Sequence, residues 1–132
     1  MPKRSVYDTR FFIEYFYSND AVFLRRLKED LRAVRERMVS ALTVHEVYRI
    51  TLEREGREVA ILRSETIRRD FNVIDVDYEV AVRSAELRSK HRMPMADSVI
   101  AATAQINRCP LVSDDPHFQE IEELKTRWYT KR

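Results

Sequence analysis

The chain of 132 residues contains a single glycine, Gly56. Glycine is the residue that most readily takes the positive φ angles of tight hairpin turns, so this chain has few ways to join antiparallel strands closely. Its connections must be made by helix ends and short loops instead. The sequence therefore disfavours an all-β fold rich in hairpins.

Short apolar runs alternate with longer segments whose apolar residues recur every three or four positions. This pattern is typical of buried parallel strands separated by amphipathic helices. The predicted strands lie at residues 5–8, 38–41, 72–76, 111–113 and 126–129, and the predicted helices near 10–18, 20–36, 43–55, 57–70, 77–91, 94–107 and 116–124. The order predicts one domain over residues 1–132, an α/β three-layer sandwich whose mainly parallel, five-stranded sheet is flanked by helices.

Several predicted helix ends have a physical marker. Thr43 and Glu46 have the spacing of a capping box, in which two side chains bond the unpaired N–H groups of a first turn. Pro94 and Pro116 suit the first helical position, and Gly56 suits the end of one helix and the start of the next.

Charge and cysteine content limit the partners and the cellular location that the sequence predicts. The 24 basic and 22 acidic residues give a net charge of +2, so any nucleic-acid-binding surface must be local. A lone cysteine, Cys109, excludes an internal disulfide and favours a reducing, cytoplasmic location. The sequence has neither the roughly 20-residue apolar run that spans a bilayer nor a signal-peptide pattern, which predicts a soluble protein with no membrane association.

Four acids fall at the ends of predicted elements: Asp8, Glu46, Asp97 and Asp115. The carboxyl ends of parallel strands and the adjoining helix starts meet at one edge of a sheet, where ligands bind. Carboxylates gathered there would repel each other, and Mg²⁺ or Mn²⁺ would relieve that repulsion. Each acid taken alone also suits a helix cap or first turn, so the spacing leaves both interpretations open.

The words around these acids resemble the PIN-domain family, and within it the VapC-type toxins of VapBC toxin–antitoxin pairs. The similar segments are residues 6–9 (Val-Tyr-Asp-Thr), 42–48 (Leu-Thr-Val-His-Glu-Val-Tyr), 93–104 (Met-Pro-Met-Ala-Asp-Ser-Val-Ile-Ala-Ala-Thr-Ala) and 111–118 (Leu-Val-Ser-Asp-Asp-Pro-His-Phe). Their order and spacing agree with the family over nearly the whole chain. The resemblance implies a PIN-like fold and Mg²⁺- or Mn²⁺-dependent hydrolysis of RNA phosphodiester bonds.

The resemblance also assigns roles to residues. It implies that Asp8, Glu46, Asp97 and Asp115 are catalytic and bind metal, with Glu46 either a ligand or the general base. Thr9 would support the site from beside the acids, and the Ser113 hydroxyl would hydrogen-bond a ligand carboxylate or a metal-bound water, although Ser113 suits a turn equally well. Two departures stand out: Arg10 occupies a position where the family commonly has a small residue, and the adjacent Asp114 leaves the identity of the fourth acid open, with Asp115 favoured.

Partners are suggested by the first helix and by the family. The helix near residues 10–18 carries apolar side chains on all sides, so either the following helix or a partner must cover the excess: Phe11, Phe12, Ile13, Tyr15, Phe16 and Tyr17. The resemblance implies a homodimer and a VapB-like antitoxin protein. Substrate RNA would meet basic residues near the acids, which can equally be solvated surface: Arg10, His45, Arg49, Lys90, His91, Arg92 and His117.

Two other functions are compatible with the sequence. One is a PIN-type RNA-processing nuclease that has no antitoxin, and the other is a non-catalytic PIN-like module that binds RNA or protein. Requirement for a divalent metal separates the second from a nuclease.

Overall fold

A computed structural model describes residues 3–129, in which short strands alternate with helices as the sequence predicts. In chain order the elements are β1 (Arg4–Tyr7), α1 (Thr9–Tyr17), α2 (Ala21–Ala33), β2 (Glu36–Ser40), α3 (Ala41–Glu55), α4 (Arg57–Asp70), β3 (Asn72–Ile74), α5 (Tyr78–His91), α6 (Met95–Ile106), β4 (Leu111–Val112), α7 (Pro116–Gln119) and β5 (Thr126–Arg127). Residues 1, 2 and 130–132, the two ends of the predicted domain, lie outside this description. None of the helices described is long and apolar enough to cross a membrane.

The five strands form one parallel sheet in the order β3-β2-β1-β4-β5, which confirms the predicted α/β class. Strand β1 lies in the centre, between β2 and β4. The chain adds β2 and β3 on one side of β1 and later returns to add β4 and β5 on the other. This change of direction opens a crevice beyond the carboxyl ends of β1 and β4, the place where parallel sheets commonly bind ligands.

Neighbouring residues along each strand point to opposite faces of the sheet, and both faces are buried. In β1, Val6 belongs to one core cluster and Tyr7 to the other. Leu111 and Val112 of β4 divide in the same way. Helices α5, α6 and α7 contribute to the first cluster, and helices α1 to α4 contribute to the second. The sheet is therefore the middle layer of a sandwich, as predicted.

The start of α3 differs from the prediction. The helix begins at Ala41, because the Ser40 hydroxyl at the end of β2 already accepts a hydrogen bond from the Leu42 backbone N–H at 3.1 Å. The predicted capping box at Thr43 is wrong, and both Thr43 and Glu46 lie inside the helix. Within the described chain the buried Thr43 hydroxyl has no hydrogen-bond partner.

Proline and glycine mark other helix ends with mixed success. Pro116 occupies the first turn of α7, as predicted, whereas Pro94 lies one position earlier than predicted, at the N-cap of α6. Gly56 has φ +91° and separates α3 from α4. That left-handed backbone is the conformation that glycine adopts at least cost, so the prediction for Gly56 is confirmed.

The last predicted helix, 116–124, is too long. Helix α7 ends at Gln119, and the chain continues through tight turns in which Ile121 N–H donates to the Phe118 carbonyl and Leu124 N–H donates to the Ile121 carbonyl. Phe118, Ile121 and Leu124 are all buried. Their three-residue spacing resembles an amphipathic helix in sequence, but here it arises from successive three-residue turns.

The crowded aromatic residues of α1 find much of their cover within the chain. Phe11 and Phe12 are fully buried, and the Phe11 ring lies 4.6 Å from Tyr7 and 6.3 Å from Tyr129 between centroids. The Arg63 guanidinium lies over the rings of Phe16 and Tyr17. The cover therefore comes from the sheet, from α4 and from the C-terminal segment as well as from the next helix.

Candidate metal centre

The fold brings the four predicted acids to the same edge of the sheet. Asp8 directly follows β1, and Asp115 lies three residues after β4. Helix α3 leaves that edge directly after β2 and carries Glu46 in its second turn, while α6 begins near that edge with Asp97 in its first turn. All four side chains thus start from the crevice created by the reversal of strand order.

The acids interact electrostatically as one cluster. The charges of Asp97 and Asp115 both raise the pKa of Asp8, and the charges of Asp115 and Glu46 both raise the pKa of Asp97. One potential ligand atom from each of Asp97, Asp115 and His117 lies within 4.8 Å of the others. Like charges brought this close favour a bound cation or a shared proton.

Asp8 is the most buried member, with 3% of its surface exposed. Burial raises its pKa to about 7, the neighbouring acids add to this, and hydrogen bonds from the Ser113 hydroxyl and the Thr9 backbone act in the opposite direction. Asp8 stands at the N-cap position of α1, yet among residues 3–129 its side chain does not accept the hydrogen bond from the second or third N–H of the helix that defines a side-chain cap. A cap therefore does not explain the presence of this carboxylate.

Two hydroxyl groups hold the acids in place. The Ser113 hydroxyl donates to Asp8 Oδ2 at 2.7 Å and accepts a hydrogen bond from the Asp115 backbone N–H at 3.1 Å. The Thr9 hydroxyl donates to Glu46 Oε1 at 2.6 Å, which links the start of α1 to α3. Thr9 and Ser113 thus contact the acids that the sequence predicted they would support.

Asp115 and Asp97 are neighbours in the site, with a carboxylate oxygen of each within 4.8 Å of the other. Asp115 Oδ1 accepts a hydrogen bond from the His117 backbone N–H at 3.0 Å, so Asp115 does cap α7 while it also belongs to the cluster. Burial, followed by the charge of Asp115, raises the pKa of Asp97 above its ordinary value. Asp115 therefore caps α7 and also lies within the acid cluster, while its role as a metal ligand stays a prediction.

The adjacent Asp114 has a different partner. Its carboxylate forms a two-point ion pair with Arg10, in which Nη2 and Oδ2 are 3.3 Å apart. Asp115, by contrast, acts on both Asp8 and Asp97 through its charge. The geometry therefore favours Asp115 as the fourth acid, because the Asp114 carboxylate is paired with Arg10.

His117 is a member of the site that the sequence did not single out. Its Nδ1 lies 3.2 Å from Asp115 Oδ1 and 3.4 Å from Asp97 Oδ2. The sequence indicated it only as one of several basic residues near the acids. Its position two residues after Asp115, in a turn that begins with Pro116, is the signal that would have placed it beside the cluster.

The other basic candidates are not all directed at the acids. His45 and Arg49 line a separate pocket on α3, together with Tyr48 and Leu52, and Arg49 pairs with Glu53 at 3.0 Å. Lys90 and Arg92 are exposed around the end of α5. The solvated-surface interpretation suits these residues better than it suits His117.

Comparison with known proteins gives a consistent result. The family model described as PIN domain matches residues 5–124. A toxin–antitoxin complex from Klebsiella pneumoniae has a TM-score of 0.71 at 24% identity, with 91% of this chain and 94% of that chain covered. VapBC2 from Rickettsia felis, bound to a DNA fragment from its promoter, has a TM-score of 0.80 at 14% identity, with 96% and 99% covered.

A third similar structure is VapC20 from Mycobacterium tuberculosis, described as a sarcin–ricin loop cleaving toxin, with a TM-score of 0.74 at 18% identity and 92% and 98% of the two chains covered. No curated protein sequence matches the chain significantly. At these identities the structural likeness establishes the fold, and the activity must be argued from the site.

Proposed function

The chain belongs to the PIN-domain family, and from that premise we propose that it is a metal-dependent endoribonuclease. The observation that carries the proposal is the convergence of Asp8, Glu46, Asp97 and Asp115 in the crevice beside β1. A structural role alone gives no reason for three or four carboxylates to share one opening, because their mutual repulsion costs stability.

The donor set suits a hard divalent cation. Carboxylate oxygens are the ligands that Mg²⁺ and Mn²⁺ accept most readily, and the half-buried Asp97 and the buried Asp8 have raised pKa values that a positive ion would lower. Asp8, Asp97 and Asp115 would hold the ion, with Glu46 completing the site. Such an ion supplies positive charge beside a phosphodiester and acidifies water, the two things that hydrolysis needs.

The remaining chemistry falls to the side chains of the chain itself. The Thr9 hydroxyl hydrogen-bonds Glu46, and we propose that Glu46 accepts a proton from the attacking water as a general base. The Ser113 hydroxyl orients Asp8 and, through the Asp115 backbone, the turn before α7. Arg10 contributes positive charge at the rim, where it is more than half exposed.

We propose further that the protein is a VapC-type toxin that forms a homodimer and binds a VapB-like antitoxin in the cytoplasm. The similarity to toxin–antitoxin complexes over more than nine-tenths of the chain supports this proposal. Sedimentation of the purified protein at tens of micromolar should give the mass of a dimer, because the dimeric fraction of a self-associating protein rises with its concentration. A monomer at that concentration would count against self-association.

The nuclease proposal is tested with labelled RNA and purified protein. We expect cleavage with Mg²⁺ or Mn²⁺, no cleavage with a chelator, and no cleavage by Asp97→Asn under any of these conditions. Asp75→Asn is the matched control, because Asp75 is an exposed acid that follows the edge strand β3 and should be dispensable. RNA binding that is indifferent to chelator and never leads to cleavage would identify a binding module instead.

A further inference from the structure

We infer that His117 is a nitrogen ligand of the proposed metal site and that it shifts the preference of this site from Mg²⁺ toward first-row transition-metal ions. The inference rests on the proposed function and concerns the identity of its metal. The observation behind it is the position of His117 Nδ1, which lies 3.2 Å from Asp115 Oδ1 and 3.4 Å from Asp97 Oδ2.

These separations suit three ligands of one ion. Two ligand atoms at about 2.1 Å from an octahedral ion, at right angles to each other, are about 3 Å apart. The potential ligand atoms of Asp97, Asp115 and His117 all lie within 4.8 Å of one another. The three side chains therefore lie close enough to one another to be ligands of a single ion.

The backbone holds the His117 side chain next to the acids. The His117 N–H donates to Asp115 Oδ1 at 3.0 Å, which fixes the turn after Pro116. His117 contributes only its main-chain N–H to this contact, and Asp115 contributes its side chain, so a substitution of the His117 side chain leaves the hydrogen bond in place. The imidazole itself is 59% exposed, and its removal should not create a cavity.

The choice of metal follows from the ligand type. Mg²⁺ prefers oxygen ligands and retained water, and gains little from an imidazole. Among first-row ions the affinity for nitrogen-containing sites rises from Mn²⁺ to Co²⁺ and beyond. A site of two or three carboxylates and one imidazole should therefore favour Co²⁺ most, Mn²⁺ less and Mg²⁺ least.

A different role for His117 predicts a different result. If Nδ1 instead carries a proton and neutralises Asp97 and Asp115, it competes with the metal. Removal of that competing charge would then tighten the binding of every divalent ion, Mg²⁺ included. The direction of the change on substitution therefore distinguishes a ligand from a competitor.

The test is calorimetric titration of the full chain with Mg²⁺, Mn²⁺ and Co²⁺, comparing the unmodified protein with His117→Ala. We expect Co²⁺ affinity to fall about tenfold or more, Mn²⁺ affinity to fall by less, and Mg²⁺ affinity to change less than about threefold. His45→Ala is the matched control, since His45 is an exposed histidine that lines another pocket. It should leave all three affinities unchanged.

A spectroscopic measurement supplies a second readout. Pulsed electron paramagnetic resonance of bound Mn²⁺ should show coupling to a directly coordinated nitrogen, and this coupling should disappear in His117→Ala. Mn²⁺ that binds without nitrogen coupling, or equal losses of affinity for all three ions, would overturn the role of His117 while leaving the nuclease proposal standing. Failure of the unmodified protein to bind any of these ions would overturn both.

Discussion

Asp8 and Asp30 are equally buried, each 3% exposed, but they lie in opposite electrostatic surroundings. The Asp30 carboxylate accepts hydrogen bonds from the Tyr7 hydroxyl at 2.8 Å and the Tyr129 hydroxyl at 2.9 Å. It also forms a two-point ion pair with the Arg127 guanidinium, at 2.6 and 3.2 Å. Its charge is thus compensated inside the protein.

Asp8 receives a hydrogen bond from the neutral Ser113 hydroxyl, and the charges that raise its pKa are the negative ones of Asp97 and Asp115. A buried carboxylate is tolerated when a cation pairs with it. For Asp30 that cation is an arginine of β5, and for Asp8 we propose that it is a metal ion from solution. The contrast separates a carboxylate that stabilises the fold from one that is kept ready for a ligand.

Removal of the cation beside Asp30 should have the largest effect on stability. Arg127→Met would leave Asp30 buried without its ion pair, and we expect the free energy of unfolding to fall by about 3–5 kcal/mol, measured by urea denaturation. The double variant Asp30→Asn with Arg127→Met should recover part of the loss, because no unpaired charge remains.

Arg4→Met is the matched control for Arg127→Met. Arg4 also lies on a strand and pairs with an acid, Glu36, at 2.8 Å, but both side chains are 42% exposed. An exposed pair contributes about 1 kcal/mol or less. Equal losses from the two arginine substitutions would contradict the view that Asp30 is a special, buried partner.

Asp8→Asn should have the opposite effect on stability. The pKa of Asp8 is raised from 3.8 to about 7 in the folded protein, so the unfolded chain loses this proton first as the pH rises. Folding stability without metal should therefore decrease between about pH 4 and pH 7 because of this group. The asparagine variant lacks the penalty and, in chelator, should be more stable by up to about 4 kcal/mol above pH 7.

The pH profile of the unfolding free energy checks this sign. Near pH 4 the Asp8 carboxyl should contribute little to the difference in unfolding free energy between the two proteins. That difference should grow as the pH approaches 8. Addition of Mg²⁺ or Mn²⁺ should stabilise the unmodified protein more than Asp8→Asn. A variant that is less stable at pH 8 in chelator would mean that Asp8 is a structural acid like Asp30.

The sequence predicts the surroundings of Asp8 but not those of Asp30, and the difference has a physical reason. Asp8 ends an apolar strand, and the ends of parallel strands meet wherever the sheet forms, so its neighbourhood follows from the order of elements. Asp30 lies in a helix of mixed charge, and its partner Arg127 is 97 residues away in a strand of two residues. No local pattern reports such a pair.

The sequence predicts the types of the elements better than it predicts their ends. Strand and helix types follow from the period of the apolar residues, and the five parallel strands are confirmed. Helix ends depend on single hydrogen bonds. Helix α3 begins after Ser40, whose hydroxyl caps it, and not at Thr43 as the sequence predicts. The four acids were predicted to converge and do share one edge of the sheet, while their roles stay predictions.

Removal of the neutral partner of Asp8 should have a moderate effect. Ser113→Ala deletes the hydroxyl that donates to Asp8 and accepts from the Asp115 N–H. We expect the free energy of unfolding to fall by about 1 kcal/mol and RNA cleavage to slow about tenfold, since two acids lose their orientation. Ser84→Ala is the control, because the Ser84 hydroxyl is also buried but bonds a helix carbonyl, that of Ala81.

Cleavage by Ser113→Ala at the same rate as Ser84→Ala would show that the acids are oriented by other contacts. A loss in both variants would point to a general sensitivity of the core to missing hydroxyl groups.

Arg10 tests the comparison of Asp8 with Asp30 with the smallest expected effect, because it is an arginine beside the acid cluster. If it served Asp8 as Arg127 serves Asp30, its removal would destabilise the protein by several kcal/mol. Its partner is Asp114 instead, and the Arg10 side chain is 56% exposed. Water and salt weaken such a pair, so Arg10→Met should lower the free energy of unfolding by about 1 kcal/mol or less, and Asp114→Asn should do the same. A loss from Arg10→Met that approaches that of Arg127→Met would make Arg10 the internal cation of the cluster, and would remove the electrostatic reason for a metal ion at Asp8.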